Sequence, residues 1–279
     1  MVNRSFPPPP KGPRGFVVSD GEHIYYETYG QGDAIVFTHG LGGNHATWYQ
    51  QVPEFARYFR VVTWDQRGFG RSSNKADKAG PDTSISDLVV MLDTLEIERA
   101  HLVGQSMGGW PTLGLALLHP ERVGAIVLGD TTAGIFTDAI ERAFDENVRR
   151  VASSGASSPS VIGMHPALGQ GFRRENIDRA FLYEQIGEIA GDSPASISSA
   201  CRKTAYPHEK LRALGISFLF IVGSDDPLFA PTIIREAAAF LRGSEVTVIA
   251  DAGHSPYFEV PQVWNNRVLS FLREVVCVR

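Results

Sequence analysis

The chain has 279 residues, a formal charge of −5, and 43% hydrophobic and 20% charged residues. A chain of that length buries roughly 75% of its unfolded surface, so it needs neither a metal nor a disulfide to hold a core, and the composition is globular rather than disordered. The acidic balance and the lack of a long Lys/Arg run argue against nucleic acid as a partner. No segment approaches the roughly 18 apolar residues of a spanning helix, so no membrane partner is expected.

In chain order, the leader "MVNRSFPPPPKGPRG" has no apolar signal core and reads as an extended, proline-rich tail. Cys201 and Cys277 are the only cysteines and lie outside any C-x-x-C spacing, which suits a reducing compartment. An unexported, cytoplasmic protein is the expectation. "GFVVSDGEHIYYETYG" then gives two β-rich runs around Asp20-Gly21, a hairpin signal. Short apolar runs follow at 34–40, 60–65, 100–104, 125–130, 217–223 and 246–253, each bounded by Gly or Asp, as buried parallel strands are. Between them lie helix-length amphipathic stretches such as Ser84 to Leu95 and Trp110 to Leu118. Alternation of this kind predicts a mostly parallel sheet covered on both faces.

The alternation stops between about Thr131 and His208. Helical stretches there (Asp138 to Val151, Arg174 to Ile189) are separated by Ser- and Gly-rich breaks, with no convincing strand. The expected organisation is a core of residues 1–130 and 209–279 with a helical cap inserted at 131–208, since long excursions from a compact fold tend to serve function.

Gly104-Gln105-Ser106-Met107-Gly108 fits G-x-S-x-G, in which a strand turns so sharply into a helix that the serine is held in strained geometry. An apolar strand candidate precedes it and a helix candidate follows, with Pro111 tolerated in the first turn. A serine hydroxyl needs a base to take its proton and an acid to orient that base. His254 in "VIADAGHSPYFEVP" follows the last strand candidate and is the expected base. Asp226 in "IVGSDDPLFAP" is the favoured acid, with Asp225 and Asp130 as rivals. Acyl chemistry also needs donors for an oxyanion; the N–H groups of Leu41, in "THGLGGN", and Met107 are the candidates. Trp110 and the Leu41 side chain are candidates to line the substrate pocket.

"HGLGGN", "DQRGFGRS", "GQSMGG", "GSDDP" and "AGHSPYFEVP" together resemble the successive landmarks of the α/β-hydrolase superfamily, spread over Thr38 to Pro261. The resemblance implies an α/β-hydrolase fold: a mostly parallel eight-stranded sheet flanked by helices, with a cap inserted after the sixth strand. It also implies that Ser106, Asp226 and His254 match nucleophile, acid and base, that Leu41 and Met107 match the oxyanion hole, and that Asp65 and Arg67 are structural.

"GLGGNH" lacks the third glycine of a dinucleotide loop and "HEKLR" lacks the second histidine of H-E-x-x-H, so no cofactor and no metal are expected. The expected activity is hydrolysis of a small-molecule carboxylic ester or lactone. Carbon-carbon bond hydrolysis of ring meta-cleavage products is the nearest alternative, and a non-catalytic ligand receptor on the same fold is the alternative from another class.

Overall fold

The computed structural model describes residues 8–153 and 162–277. The first residues of the leader and most of the serine-rich break after Ser153 lie outside them. Eight strands form one sheet: β1 (Lys11–Ser19), β2 (Glu22–Tyr29), β3 (Ala34–Thr38), β4 (Arg60–Trp64), β5 (Ala100–Gln105), β6 (Val123–Gly129), β7 (Ser217–Gly223) and β8 (Glu245–Ile249). Their order is β1-β2-β4-β3-β5-β6-β7-β8. Pairings of β2 with β1 and β4 are antiparallel and all others are parallel. The mostly parallel sheet expected from the alternation, with the eight strands implied by the resemblance, is therefore present.

Asp20 and Gly21 join β1 to β2 with φ of 49° and 75°. Two successive positive φ values match the twist of a tight hairpin, which is why Asp-Gly stands there. The leader is not tail throughout. Its last residues belong to β1, with Lys11 opposite Tyr29 and Arg14 opposite Glu27, because the outer edge of β2 offers backbone partners that a free tail would leave to water.

Helices cover both faces: α1 (Val52–Phe55), α2 (Pro81–Thr94), α3 (Gly109–Leu118), α4 (Asp138–Ser153), α5 (Gln170–Glu175), α6 (Ile177–Ala190), α7 (Ile197–Lys203), α8 (His208–Arg212), α9 (Pro231–Ala238), α10 (Pro256–Glu259) and α11 (Pro261–Cys277). Successive strand side chains point to opposite faces, and the core divides accordingly. Val36, Val62, Leu102, Ile126 and Phe220 pack with Leu88 of α2, Leu113 of α3 and Ile234 of α9. Their neighbours Ile35, Phe37, Val61, Val103 and Ile221 pack with Phe55 of α1 and with Trp264 and Val268 of α11. Each such side chain contributes about 1.5–3 kcal/mol by leaving water.

Between β6 and β7 the described residues form α4 to α8 and no strand. The helix expected over Arg174 to Ile189 is two helices. They part at Asn176, whose φ of −133° and ψ of 55° end α5 while its carbonyl accepts from Ala180 to start α6; asparagine suits such a break because its side chain favours turn geometry. Among the described residues no helix is long and apolar enough to cross a membrane.

Candidate active site

β5 ends at Gln105, and Ser106 opens a single tight turn, Ser106–Gly108, that runs into α3. Ser106 has φ of 50°, a left-handed backbone that a non-glycine residue holds only when its surroundings impose it. The flanking glycines supply that constraint. A Cβ on Gly104 would lie 2.5 Å from the Gly108 carbonyl oxygen, and one on Gly108 would lie 2.4 Å from the Thr38 carbonyl oxygen. Strand, turn and helix are thus pressed together until only hydrogen fits. Ser106 is half-buried while the residues on either side are buried.

The loop after β8 carries His254 and the loop after β7 carries Asp226. His254 Nδ1 lies 2.8 Å from Asp226 Oδ2. The other oxygen of Asp226 accepts from the N–H groups of Leu228, at 2.8 Å, and Phe229, at 3.0 Å, so the carboxylate cannot rotate away without breaking three bonds. The Phe229 ring stacks on the imidazole at 5.8 Å between centroids. The Gln105 amide donates to the His254 carbonyl at 3.0 Å, so the residue before Ser106 touches the imidazole loop directly. Sequence patterning gives no hint of this bond, because the residue before the serine in G-x-S-x-G is unconstrained.

Glu259 fixes the same loop from beneath. Its carboxylate is buried and accepts from Gly253 at 3.0 Å, Gly169 at 2.9 Å and Ser255 at 3.4 Å. Burial pushes its carboxyl above the usual carboxylate range, against the opposing pull of those N–H groups. The His254 N–H donates to the Ala167 carbonyl at 2.7 Å. Residues 167–169 of the excursion are therefore bonded to the histidine loop at two points.

Asp130, at the end of β6, is wholly buried beside this pair. One polar atom each from Asp130, Asp226 and His254 lie within 4.8 Å of one another. Such a cluster is a test for a metal, and the residues do not fit one: Asp226 Oδ2 and His254 Nδ1 face each other, and Asp226 Oδ1 already receives two N–H groups.

The loop 39–44 lies over the tight strand-to-helix turn at Ser106, the elbow. A Cβ on Gly40 would lie 2.2 Å from Gln105 Oε1 and 3.0 Å from Ser106 Cβ, so a side chain there would displace the Gln105 amide. His39 is fully buried, and burial holds its imidazole below the usual pKa. Its Nε2 accepts from the Gln66 N–H at 3.0 Å, which leaves Nδ1–H to donate to the Gly40 carbonyl at 2.8 Å. Asn44 donates to the Ile186 carbonyl of α6 at 2.7 Å. A cavity of about 520 Å³ opens here, lined by Gly40, Leu41, Gln105, His165, Tyr183 and Glu184 among others.

Leu41 is half exposed at this cavity. Met107 and Trp110 are buried outside its lining, in a cluster with Phe69, Ile197 and Cys201. The Trp110 indole donates to the carbonyls of Cys201 and Thr204 at 2.9 and 3.1 Å, so its polar edge is occupied by α7 and the residue just beyond it. Asp225 points elsewhere, bonded to Ser224. Asp65 accepts from His45 and Arg71, and Arg67 forms a buried pair with Asp87 at 2.6 Å.

The alpha/beta hydrolase fold family matches residues 33–261, and the chain belongs to that family. It is 30% identical over 246 residues to the 3-oxoadipate enol-lactonase 1 of Acinetobacter baylyi, covering 87% of this chain and 89% of the relative. Among solved structures it is similar to Est816, described as an N-acyl homoserine lactone degrading enzyme, at 26% identity and a TM-score of 0.74 over 93% of this chain and all of that one. The fold is also that of a thermophilic esterase from Thermogutta terrifontis, with a TM-score of 0.76 at 24% identity over 95% and 99% of the two chains. The chain is accordingly a hydrolase of this family.

Proposed function

We propose that the protein hydrolyses carboxylic esters or lactones through an acyl-enzyme on Ser106. The observation that carries this reading is the Nδ1-to-Oδ2 contact of 2.8 Å between His254 and Asp226, on a loop that the residue before Ser106 touches. With Nδ1–H donated to the carboxylate, Nε2 is the lone-pair nitrogen, the tautomer a general base requires. Nε2 takes the Ser106 proton as the hydroxyl attacks the carbonyl, then returns it to the leaving alcohol. Water, activated by the same nitrogen, frees the acyl group.

The N–H groups of Leu41 and Met107 bind the oxyanion in this scheme. Such donors stabilise charge where it develops, and removing one typically costs 10²–10³ in kcat. The helices between β6 and β7 act as a cap over the cavity, with the exposed Leu41 side chain at its mouth. Lactonase and esterase names among the relatives support the substrate class.

Ser106→Ala is expected to lower turnover of p-nitrophenyl esters or simple lactones by roughly 10³ or more and to abolish labelling by a fluorophosphonate probe. Wild-type rates in that variant would refute the mechanism. Absence of labelling in the wild-type protein would favour a binding module, and turnover of a meta-cleavage dienoate without ester turnover would favour carbon-carbon bond hydrolysis.

A further inference from the structure

Asp130 has no part in the mechanism above, yet it is the most deeply buried acid near it. Its Oδ1 accepts from the Gly223 N–H at 3.0 Å. Its Oδ2 is buried and meets no N–H or O–H donor among the described residues. Close to it is another carboxyl, that of Asp226: one oxygen of each acid belongs to the cluster whose polar atoms lie within 4.8 Å of one another. The backbone at Asp130 is also held left-handed, with φ of 50°, and its N–H donates to the Ile221 carbonyl at 2.8 Å. Its side chain is thereby aimed at the loop that carries Asp226.

Two ionised carboxylates cannot sit that close in a dry site, since like charges sharing a buried position raise the pKa of one of them strongly. A proton held between them converts the repulsion into a short, charge-assisted bond. Asp226 already receives Leu228 N–H, Phe229 N–H and the imidazole, whereas Asp130 receives only Gly223 N–H. The better-supplied acid keeps the charge.

We propose that Asp130 is a positioning residue: a neutral carboxylic acid whose O–H is donated to Asp226, holding that carboxylate in place and moderating the charge it presents to His254. The proposal rests on reading Asp226 and His254 as the acid and base of the hydrolase. Burial, first, and the Asp226 charge push the Asp130 carboxyl well above the usual range, in agreement with the geometry. The other titratable groups whose charge bears on the site are Glu259 and Tyr257 on α10, Tyr183 on α6 and His165 just before α5. Both tyrosines have their pKa raised by burial.

The test has two arms. Infrared difference spectra at mildly alkaline pH should show a protonated-carboxyl stretch in wild-type and Ser106→Ala proteins that disappears in Asp130→Asn. Absence of that band from the wild-type protein overturns the proposal whatever the substrate is. If the band is present but Ser106→Ala retains turnover, the carboxyl pair stands and the esterase reading falls.

The second arm is the acid limb of kcat/KM against pH. Asp130→Val removes the donor and should lower kcat/KM by roughly 10- to 100-fold, the worth of a hydrogen bond to a charged group, while moving the limb to higher pH. Asp130→Asn restores both an acceptor for Gly223 and a donor for Asp226. It should recover most of the lost rate, with the limb within about half a pH unit of wild type. Were Asp130 ionised, Asp130→Asn would delete a buried negative charge within 4.8 Å of the imidazole and drag the limb down by roughly two pH units; that result overturns the proposal. An unmoved limb in a folded Asp130→Val protein also overturns it. If the valine variant fails to fold, the asparagine profile and the infrared band still decide.

Discussion

Gly108→Ala isolates the close approach on which the elbow depends. Gly108 has φ of −61° and ψ of −15°, an ordinary helical conformation, so an alanine there costs nothing in backbone strain and only its methyl group matters. That methyl would stand 2.4 Å from the Thr38 carbonyl oxygen and 2.6 Å from that of His39. A carbon and a carbonyl oxygen rest no closer than roughly 3.3 Å, so the start of α3 and the end of β3 must separate by about 1 Å. Both contacts are backbone, with no flexible side chain to give way.

Overpacking of this kind costs about 1–3 kcal/mol, which for a chain of this size lowers Tm by roughly 2–5 °C. Activity should suffer more, because the Leu41 and Met107 amides sit on opposite sides of the forced gap. A displacement of about 1 Å in positioned groups costs on the order of 100-fold. Differential scanning fluorimetry and kcat/KM on a p-nitrophenyl ester measure both effects. Gly15→Ala is the control, since a methyl there meets nothing within 4 Å. If Gly108→Ala behaves like that control, within about 0.5 kcal/mol in stability and without loss of rate, the elbow is not packed as described.

Two further predictions concern buried carboxylates. Glu259→Gln places an amide N–H₂ against at least one of the N–H groups of Gly169, Gly253 and Ser255, leaving a buried donor unpaired at a cost of about 1–3 kcal/mol; a Tm within about 1 °C of wild type would refute this account of the histidine loop. Glu22, buried beneath the β1–β2 hairpin, accepts from the Ser73 hydroxyl and from Ala76 N–H at 2.9 Å, and these bonds, the Ser73 bond foremost, lower its pKa to about 2 from 4.5. A depressed carboxyl contributes stability that is fully present above the unfolded value and is lost as pH falls through the folded one, so urea midpoints should drop between about pH 4.5 and pH 2, and Glu22→Gln should flatten that part of the curve; an unchanged slope in the variant would show that another group controls it.

The sheet is legible in the sequence because a strand buried on both faces needs apolar residues at every position, and "AIVFT" or "SFLFIV" has little else to be. Asp226 and His254 are legible for a related reason, since loops at the carboxyl ends of parallel strands fall on one rim. What holds them is not legible. Gln105 reaches the carbonyl of a residue 149 positions away, and Glu259 receives an N–H from 90 positions away. Local patterning records which face of an element is buried, and it carries no record of which distant loop lies against that face. Trp110 shows the limit from the other side: its place beside Ser106 marks it for the pocket, whereas its indole N–H is committed to two carbonyls in and just after α7. The start of β1 is hidden by Pro13 and the glycines on either side of it, Gly12 and Gly15, which suppress the strand signal without preventing an outer strand from pairing.

Three acids gather at one end of the sheet, and their surroundings sort them by how many donors each receives. Glu259 has three backbone N–H groups and anchors the histidine loop to residues 167–169. Asp226 has two N–H groups and the imidazole. Asp130 has one. A buried negative charge survives only where donors replace the water it has lost, so the second charge on the Asp130–Asp226 pair has nothing to sustain it, and a proton there serves as the missing donor. The same accounting explains why the anchor and the imidazole partner are separate residues: a carboxylate that must hold the loop against the helices above it has no oxygen left to orient a base.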